Sequence, residues 1–223
     1  MPDAIWVVAG TATEVGKTWT AARLAENLQQ RGVNVACRKP VQSFDPTDDA
    51  TDADELAAAT GEDPFTICPE HRRYELALAP PMAAEKLGRD KIELEELIAE
   101  LGLPDTGVAL IEGVGGPRSP LAHDGDTVLL AWLLRAPVIL VATSGLGVLN
   151  DVRLARDAFA PLPVATFMNR FDEGDSLHRS NRDWLRDRVG AAVCTTIDEL
   201  AELITHVPDG SESDNDNEPV EAG

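Results

Sequence analysis

Short apolar runs alternate along the chain with longer stretches in which apolar side chains return every three or four positions. The runs at 4–9, 33–38, 107–112, 136–143 and 163–168, with a weaker one at 191–196, predict strands. The longer patterns predict helices at 17–31, 51–60, 91–101, 125–134, 150–160 and 175–188, and a short one at 197–204. Strands separated by helices point to a parallel sheet. Val138-Ile139-Leu140-Val141 is apolar on both faces, as a strand covered from both sides must be. The expected class is α/β, a mostly parallel central sheet flanked by helices in three layers.

The 223 residues suit one domain with a full core, placed at 1–207. Residues 208–223 are acidic and nearly free of large apolar side chains, so a disordered solvated tail is expected there. No run of apolar residues is long enough to span a bilayer and no signal-peptide pattern opens the chain. A cytoplasmic protein that meets no membrane is the expectation. Cys37, Cys68 and Cys194 have no metal-ligand spacing and read as buried, inert thiols.

A net charge of −20 argues against a nucleic-acid partner, because phosphate backbones need a basic patch. Lysine stands only at 17, 39, 86 and 91; the other basic residues are arginine. An acid-rich, lysine-poor surface suits a high-salt medium, where screening removes self-repulsion.

Against that background, Gly10-Thr11-Ala12-Thr13-Glu14-Val15-Gly16-Lys17-Thr18 stands between an apolar strand and a helical pattern. This is the setting of a phosphate-binding loop. Free backbone N–H groups and the helix dipole favour an anion there. Gly16 permits close backbone approach, Lys17 reaches the outer phosphates and the Thr18 hydroxyl can ligate Mg²⁺. Five residues separate the two glycines, where four are usual, and Thr13-Glu14 adds a polar pair.

In such sheets the chemistry lies beyond the C-terminal strand ends. Lys39, locked by Pro40, leaves the second strand on the same rim as the loop. Asp52 or Asp54, near the start of the next helix, is a candidate Mg²⁺ ligand. Glu112 tips the third strand, the usual place of a second metal anchor. Gly113, Gly115 and Gly116 follow it and let backbone approach a ligand. Asn150 is a candidate N-cap for the helix after the fourth strand. Asn169, after the fifth strand, can both donate to and accept from a purine edge.

Four segments in this order and spacing resemble dethiobiotin synthetases: 10–18, Lys39-Pro40-Val41-Gln42-Ser43, Glu112-Gly113-Val114-Gly115-Gly116 and Leu146-Gly147-Val148-Leu149-Asn150. The resemblance runs from about residue 4 to about residue 171. It implies a P-loop NTPase fold and a homodimer. It also implies ATP- and Mg²⁺-dependent carboxylation of 7,8-diaminopelargonate by CO₂ in biotin biosynthesis. Thr13, Glu14, Val15, Gly16, Lys17 and Thr18 would bind ATP, with Glu112, Gly115 and Asn169, the last reading adenine. Lys17, Lys39, Thr13 and Glu14 would serve catalysis, and Thr18, Asp52 and Glu112 the metal. Lys39, Ser43 and Asn150 would hold the substrate. Asp151 departs from the family, which often has His at that position. The proline-rich loop that usually closes over the base is not recognisable near 194–198.

Two rivals use the same superfamily. One is a cobyrinate-type ligase. The other is a nucleotide-switched dimer of the partitioning or targeting kind. The latter carries an early second lysine in the loop, where Thr11 and Ala12 stand here. The charge pattern yields a prediction of its own: stability against urea rises between dilute buffer and molar salt. Full stability in dilute buffer would contradict the high-salt reading.

Overall fold

The computed structural model describes residues 2–205; the acidic segment 208–223 and the two residues before it lie outside the described residues. In chain order the elements are β1 (Ala4–Gly10), α1 (Lys17–Gln30), β2 (Val35–Arg38), β3 (Gln42–Ser43), α2 (Asp52–Thr60), α3 (Pro64–Ile67), β4 (Arg73–Tyr74), α4 (Pro80–Lys86) and α5 (Leu94–Ala99). There follow β5 (Val108–Glu112), α6 (Thr127–Leu134), β6 (Val138–Ala142), α7 (Val148–Phe159), β7 (Val164–Met168), α8 (Ser176–Val189), β8 (Ala192–Cys194) and α9 (Ile197–Thr205).

Six strands form one sheet in the order β2-β5-β1-β6-β7-β8, with every neighbouring pair parallel. Parallel pairing demands long crossovers, and helices supply them. The crossovers lie to one side of β1 up to β5, then pass to the other side from β6 onward. The strand order therefore reverses at β1, and crevices for ligands open at such points. The phosphate loop leaves β1 there, its Thr11 N–H donating to the Val141 carbonyl at 2.9 Å.

Each sheet face has its own core. Leu24 and Leu28 of α1, Leu56 of α2 and Leu200 and Ile204 of α9 cover one. Leu97 of α5, Leu130 of α6, Phe159 of α7 and Leu185 of α8 cover the other. The central strands β5 and β6 are buried throughout, as their unbroken apolar runs require. All three cysteines are buried; burial pushes the Cys194 thiol up to about 11 and Cys68 to about 12, which keeps them protonated and unreactive. Among the described residues no helix is long and apolar enough to cross a membrane.

All six expected strands and seven helices are present, several with shifted ends: β2 starts at Val35 rather than 33 and α5 at Leu94 rather than 91. Helix α7 begins at Val148, not 150, because Gly147 takes the left-handed backbone (φ 93°) that turns the chain into the helix. Asn150 is thus inside the first turn and is not the N-cap. Three pieces had no periodicity to announce them: the two-residue pair β3–β4 and the Pro-led helices α3 and α4. Proline suits a first helical position, where its missing N–H is not needed.

Helix α2 is fixed at its start by Thr51 and Asp54. The Thr51 hydroxyl accepts from the Asp54 N–H and the Asp54 carboxylate accepts from the Thr51 N–H at 2.9 Å. Gln42 adds two ties, its amide donating to the Thr51 hydroxyl (3.2 Å) and accepting from the Ala53 N–H (3.1 Å). Thr51→Ala is expected to cost about 1 kcal/mol, a melting temperature lower by about 2–4 °C for a domain of this size. Thr51→Ser should keep most of it. Scanning calorimetry checks this, and an unchanged melting point in Thr51→Ala would refute it.

Candidate active site

The phosphate loop bends through two left-handed residues, Glu14 (φ 58°) and Gly16 (φ 95°). Gly16 has a second constraint. A Cβ there would stand 2.1 Å from the Asn169 amide nitrogen, which donates to the Val15 carbonyl at 2.8 Å. Lys17 opens α1 and its ammonium donates to the Ala12 carbonyl at 3.3 Å, so it lies over its own loop. Burial lowers the Lys17 pKa and neighbouring Lys39 lowers it further, against the pull of Glu112 and Asp52.

Beside the loop, three elements bring together a small ionic group. Lys39 follows β2, Asp52 opens α2 and Glu112 ends β5. The Lys39 ammonium lies 2.6 Å from both an Asp52 and a Glu112 carboxylate oxygen and donates to the Gly113 carbonyl at 3.1 Å. Thr18 sits between the same two acids, 2.9 Å from Asp52 and 3.0 Å from Glu112. Burial alone would discharge Lys39, but Asp52 and Glu112 outweigh it and raise its pKa, so the ammonium stays charged. Lys39 lowers the Asp52 carboxyl, against some burial. Burial lifts Glu112, and Lys39 opposes the lift.

Asp52 and Asp54 differ in the groups they meet. Asp54 is committed to Thr51 and to Arg73 (3.5 Å), while Asp52 meets Thr18 and Lys39. The oxygen set suits Mg²⁺. Glu112 Oε2 is buried with no hydrogen-bond partner in this arrangement, and the Thr18 hydroxyl stands beside both carboxylates. Two carboxylates and a hydroxyl fit a hard cation that completes its shell with phosphate oxygens and water. Among the described residues no group of three or more His, Cys, Asp or Glu forms a cage that could hold a metal unaided.

These groups line one cleft of about 930 Å³. Thr13, Glu14, Gly16, Lys17, Thr18, Lys39, Ser43, Asp52, Glu112 and Gly115 all face it. Leu78, Ala79 and Pro80 form part of its wall, and the Ser43 hydroxyl donates to the Leu78 carbonyl. Val15 is buried behind the loop. Asn169 lines an adjoining cavity of about 450 Å³ that shares Gly16, Trp19 and Arg170 with the cleft. Asn150 is not among the cleft residues; it is exposed on α7, its amide donating to Asp151 at 3.2 Å. A further cavity, about 970 Å³ around His71, Arg73 and Arg89, holds none of the phosphate-loop residues. Gln42, Trp19 and Arg170 had not been singled out. A lone glutamine directly after Lys39-Pro40-Val41 was the available signal for the first, and an indole next to Thr18 for the second.

The site can therefore hold a polyphosphate by a loop and two lysines, with a cation at the carboxylates and an elongated polar-walled space beside it. Residues 6–168 match the family model described as an AAA domain. The ATP-dependent dethiobiotin synthetase of Haloferax mediterranei is 36% identical over 195 residues, 85% of this chain and 82% of its own length. That of Mycobacteroides abscessus is 37% identical over 205 residues, 88% of each chain. Among solved structures, a plasmid partition protein of Borrelia burgdorferi aligns over 92% of this chain and 99% of its own, with a TM-score of 0.55 at 16% identity. The signal recognition particle receptor FtsY of Elizabethkingia anophelis aligns over 88% of this chain and 61% of its own, with a TM-score of 0.51 at 14% identity. At such identities these structures share the fold alone, whereas the two sequence relatives are more than a third identical over four-fifths or more of both chains: the chain belongs to the ATP-dependent dethiobiotin synthetase family.

Proposed function

We propose that the cleft carboxylates 7,8-diaminopelargonate with CO₂ at the expense of ATP and closes the cyclic urea of dethiobiotin. The observation that carries this is the second buried lysine, Lys39, held charged beside the phosphate loop in the wall of the cleft. One substrate amine attacks CO₂ and loses a proton, giving a carbamate. A carbamate oxygen attacks the γ-phosphorus, releasing ADP and leaving a carbamic–phosphoric anhydride. The second amine attacks its carbonyl, expels phosphate and closes the ring.

No covalent enzyme intermediate is needed, so positioning and charge neutralisation supply the catalysis. Lys17 and Lys39 balance the negative charge of the carbamate and the transferring phosphoryl group. Thr13, Glu14 and Ser43 hold the diamine and its carbamate against the phosphates. Gly115, left-handed at φ 53°, gives the nucleotide close approach, and Asn169 stands beside the base. Thr18, Asp52 and Glu112 would hold Mg²⁺, which neutralises phosphate charge when bound.

The substrate's far carboxylate falls to Asn150 and the start of α7, across a homodimer interface. Leu146, 92% exposed, and Leu154, 63% exposed, support that reading, because they leave the Asn150 side of α7 apolar and uncovered. The acid-rich composition supports a protein without nucleic-acid partners.

In molar salt, ADP release should require the diamine, bicarbonate and Mg²⁺ together. Turnover without the diamine, stimulated by DNA or lipid, would favour a nucleotide-switched dimer instead. Lys39→Ala should lower kcat by about a hundredfold or more, the scale of losing one electrostatic contact to the transition state. Its nucleotide affinity should change little. Equal losses in kcat and nucleotide affinity would reduce Lys39 to a phosphate clamp.

A further inference from the structure

We propose that Trp19 is the platform on which the nucleotide base stacks, and that the base cavity discriminates weakly between bases. This rests on the phosphate site described above. Trp19 follows Thr18 directly on the first turn of α1, so its backbone stands at a set distance from the phosphate loop. It is 45% exposed and lines both the cleft and the adjoining cavity. Among the described residues no other aromatic residue does so; Phe171 and Phe167 line the cavity alone and Phe44 the cleft alone.

The polar side chains of Asn169, Thr195 and Thr196 at the cavity are already engaged. The Asn169 amide donates to the Val15 carbonyl at 2.8 Å, and its oxygen accepts from the Arg170 N–H at 2.9 Å. Thr195 spends its N–H (2.7 Å) and hydroxyl (3.2 Å) on Glu199, and the Thr196 hydroxyl accepts from the Glu199 N–H at 3.2 Å. Apart from the Arg170 guanidinium, a base edge entering here meets few uncommitted side chains. Flat faces, by contrast, are available. Phe171 is held by the Arg182 guanidinium, 5.2 Å from its centroid, and by the His178 ring at 5.9 Å. Among the described residues the Arg170 guanidinium makes no hydrogen bond or ion pair, and it borders both spaces.

Every nucleobase presents a π-face, so a site that grips faces and leaves edges unread tolerates all of them. A site built to satisfy one base edge would instead reject analogues steeply, through the unpaired groups they leave behind. The geometry at Trp19 is of the first kind.

Calorimetric binding of ATP and of inorganic tripolyphosphate, each with Mg²⁺, to the wild type, Trp19→Ala and Trp19→Phe separates the contributions. Trp19→Ala should bind ATP about tenfold to a hundredfold more weakly, the range expected for one lost stacking partner. Its tripolyphosphate affinity should stay at the wild-type value, which also shows that the variant folds, and Trp19→Phe should recover most of the ATP affinity. Wild-type KM values for ATP, GTP, CTP and UTP should lie within about tenfold of one another. ATP binding by Trp19→Ala at the wild-type level would overturn the stacking role. A preference for one nucleotide beyond about a hundredfold would overturn the weak discrimination. If the wild type failed to bind tripolyphosphate, the phosphate-site reading would fall, and this one with it.

Discussion

Lys39 carries a full charge into a position shielded from solvent, and two carboxylates 2.6 Å away keep it there. Taking ions out of water costs several kcal/mol each, and only close, well-directed partners offset that. Three separate segments must therefore arrive together: the end of β2, the start of α2 and the end of β5. Removing one partner of such a group strands the others, at roughly 3–5 kcal/mol. The capping box at Thr51 and the ties from Gln42 acquire their importance from this, because they set where Asp52 stands.

The same oxygens serve two cations. Thr18, Asp52 and Glu112 form an acceptor set suited to Mg²⁺, yet Lys39 already draws on both acids. Asp52 keeps 42% of its side chain exposed, whereas Glu112 keeps 1%. The exposed acid can reorient at little cost; the buried one cannot. Glu112 is thus the fixed member of the site and Asp52 the adjustable one. The unpartnered Oε2 of Glu112 is the one carboxylate oxygen of the pair left free by this arrangement.

How much of this the sequence disclosed depended on whether a signal was local. The strand ends at Lys39 and Glu112 were legible because an apolar run that stops at a charge marks a sheet's rim. The phosphate loop was legible from Gly16-Lys17-Thr18 set between an apolar strand and a helical pattern. Asp52 and Asp54 could not be separated, since both fall in the first helical turn. The cap that claims Asp54 depends on Thr51, Gln42 and Arg73 meeting from three segments. The start of α7 was misplaced because Asn150 is a good capping residue by type, while Gly147 has the backbone freedom the turn needs. Trp19 reads from sequence as one more apolar helix position. Its exposure between two cavities exists only once β7 and the turn after β8 are folded against α1.

Counted as ionised, Lys17 and Lys39 balance Asp52 and Glu112, so the group offers no surplus positive charge. Around it lies a chain of net charge −20, which repels a triphosphate and a substrate carboxylate alike. Two circumstances reduce that repulsion. Salt shortens the reach of the surface charges, to about 3 Å at molar concentration, while leaving contacts inside the cleft largely unscreened. A divalent cation at Thr18, Asp52 and Glu112 would tip the local balance toward the phosphates and loosen the hold of both acids on Lys39. An acid-rich surface and a charge-balanced group of Lys17, Lys39, Asp52 and Glu112 are thus compatible with binding polyanions. The attraction has to be short-ranged and built from the loop N–H groups, the two lysines and the cation, rather than from a field around the whole molecule.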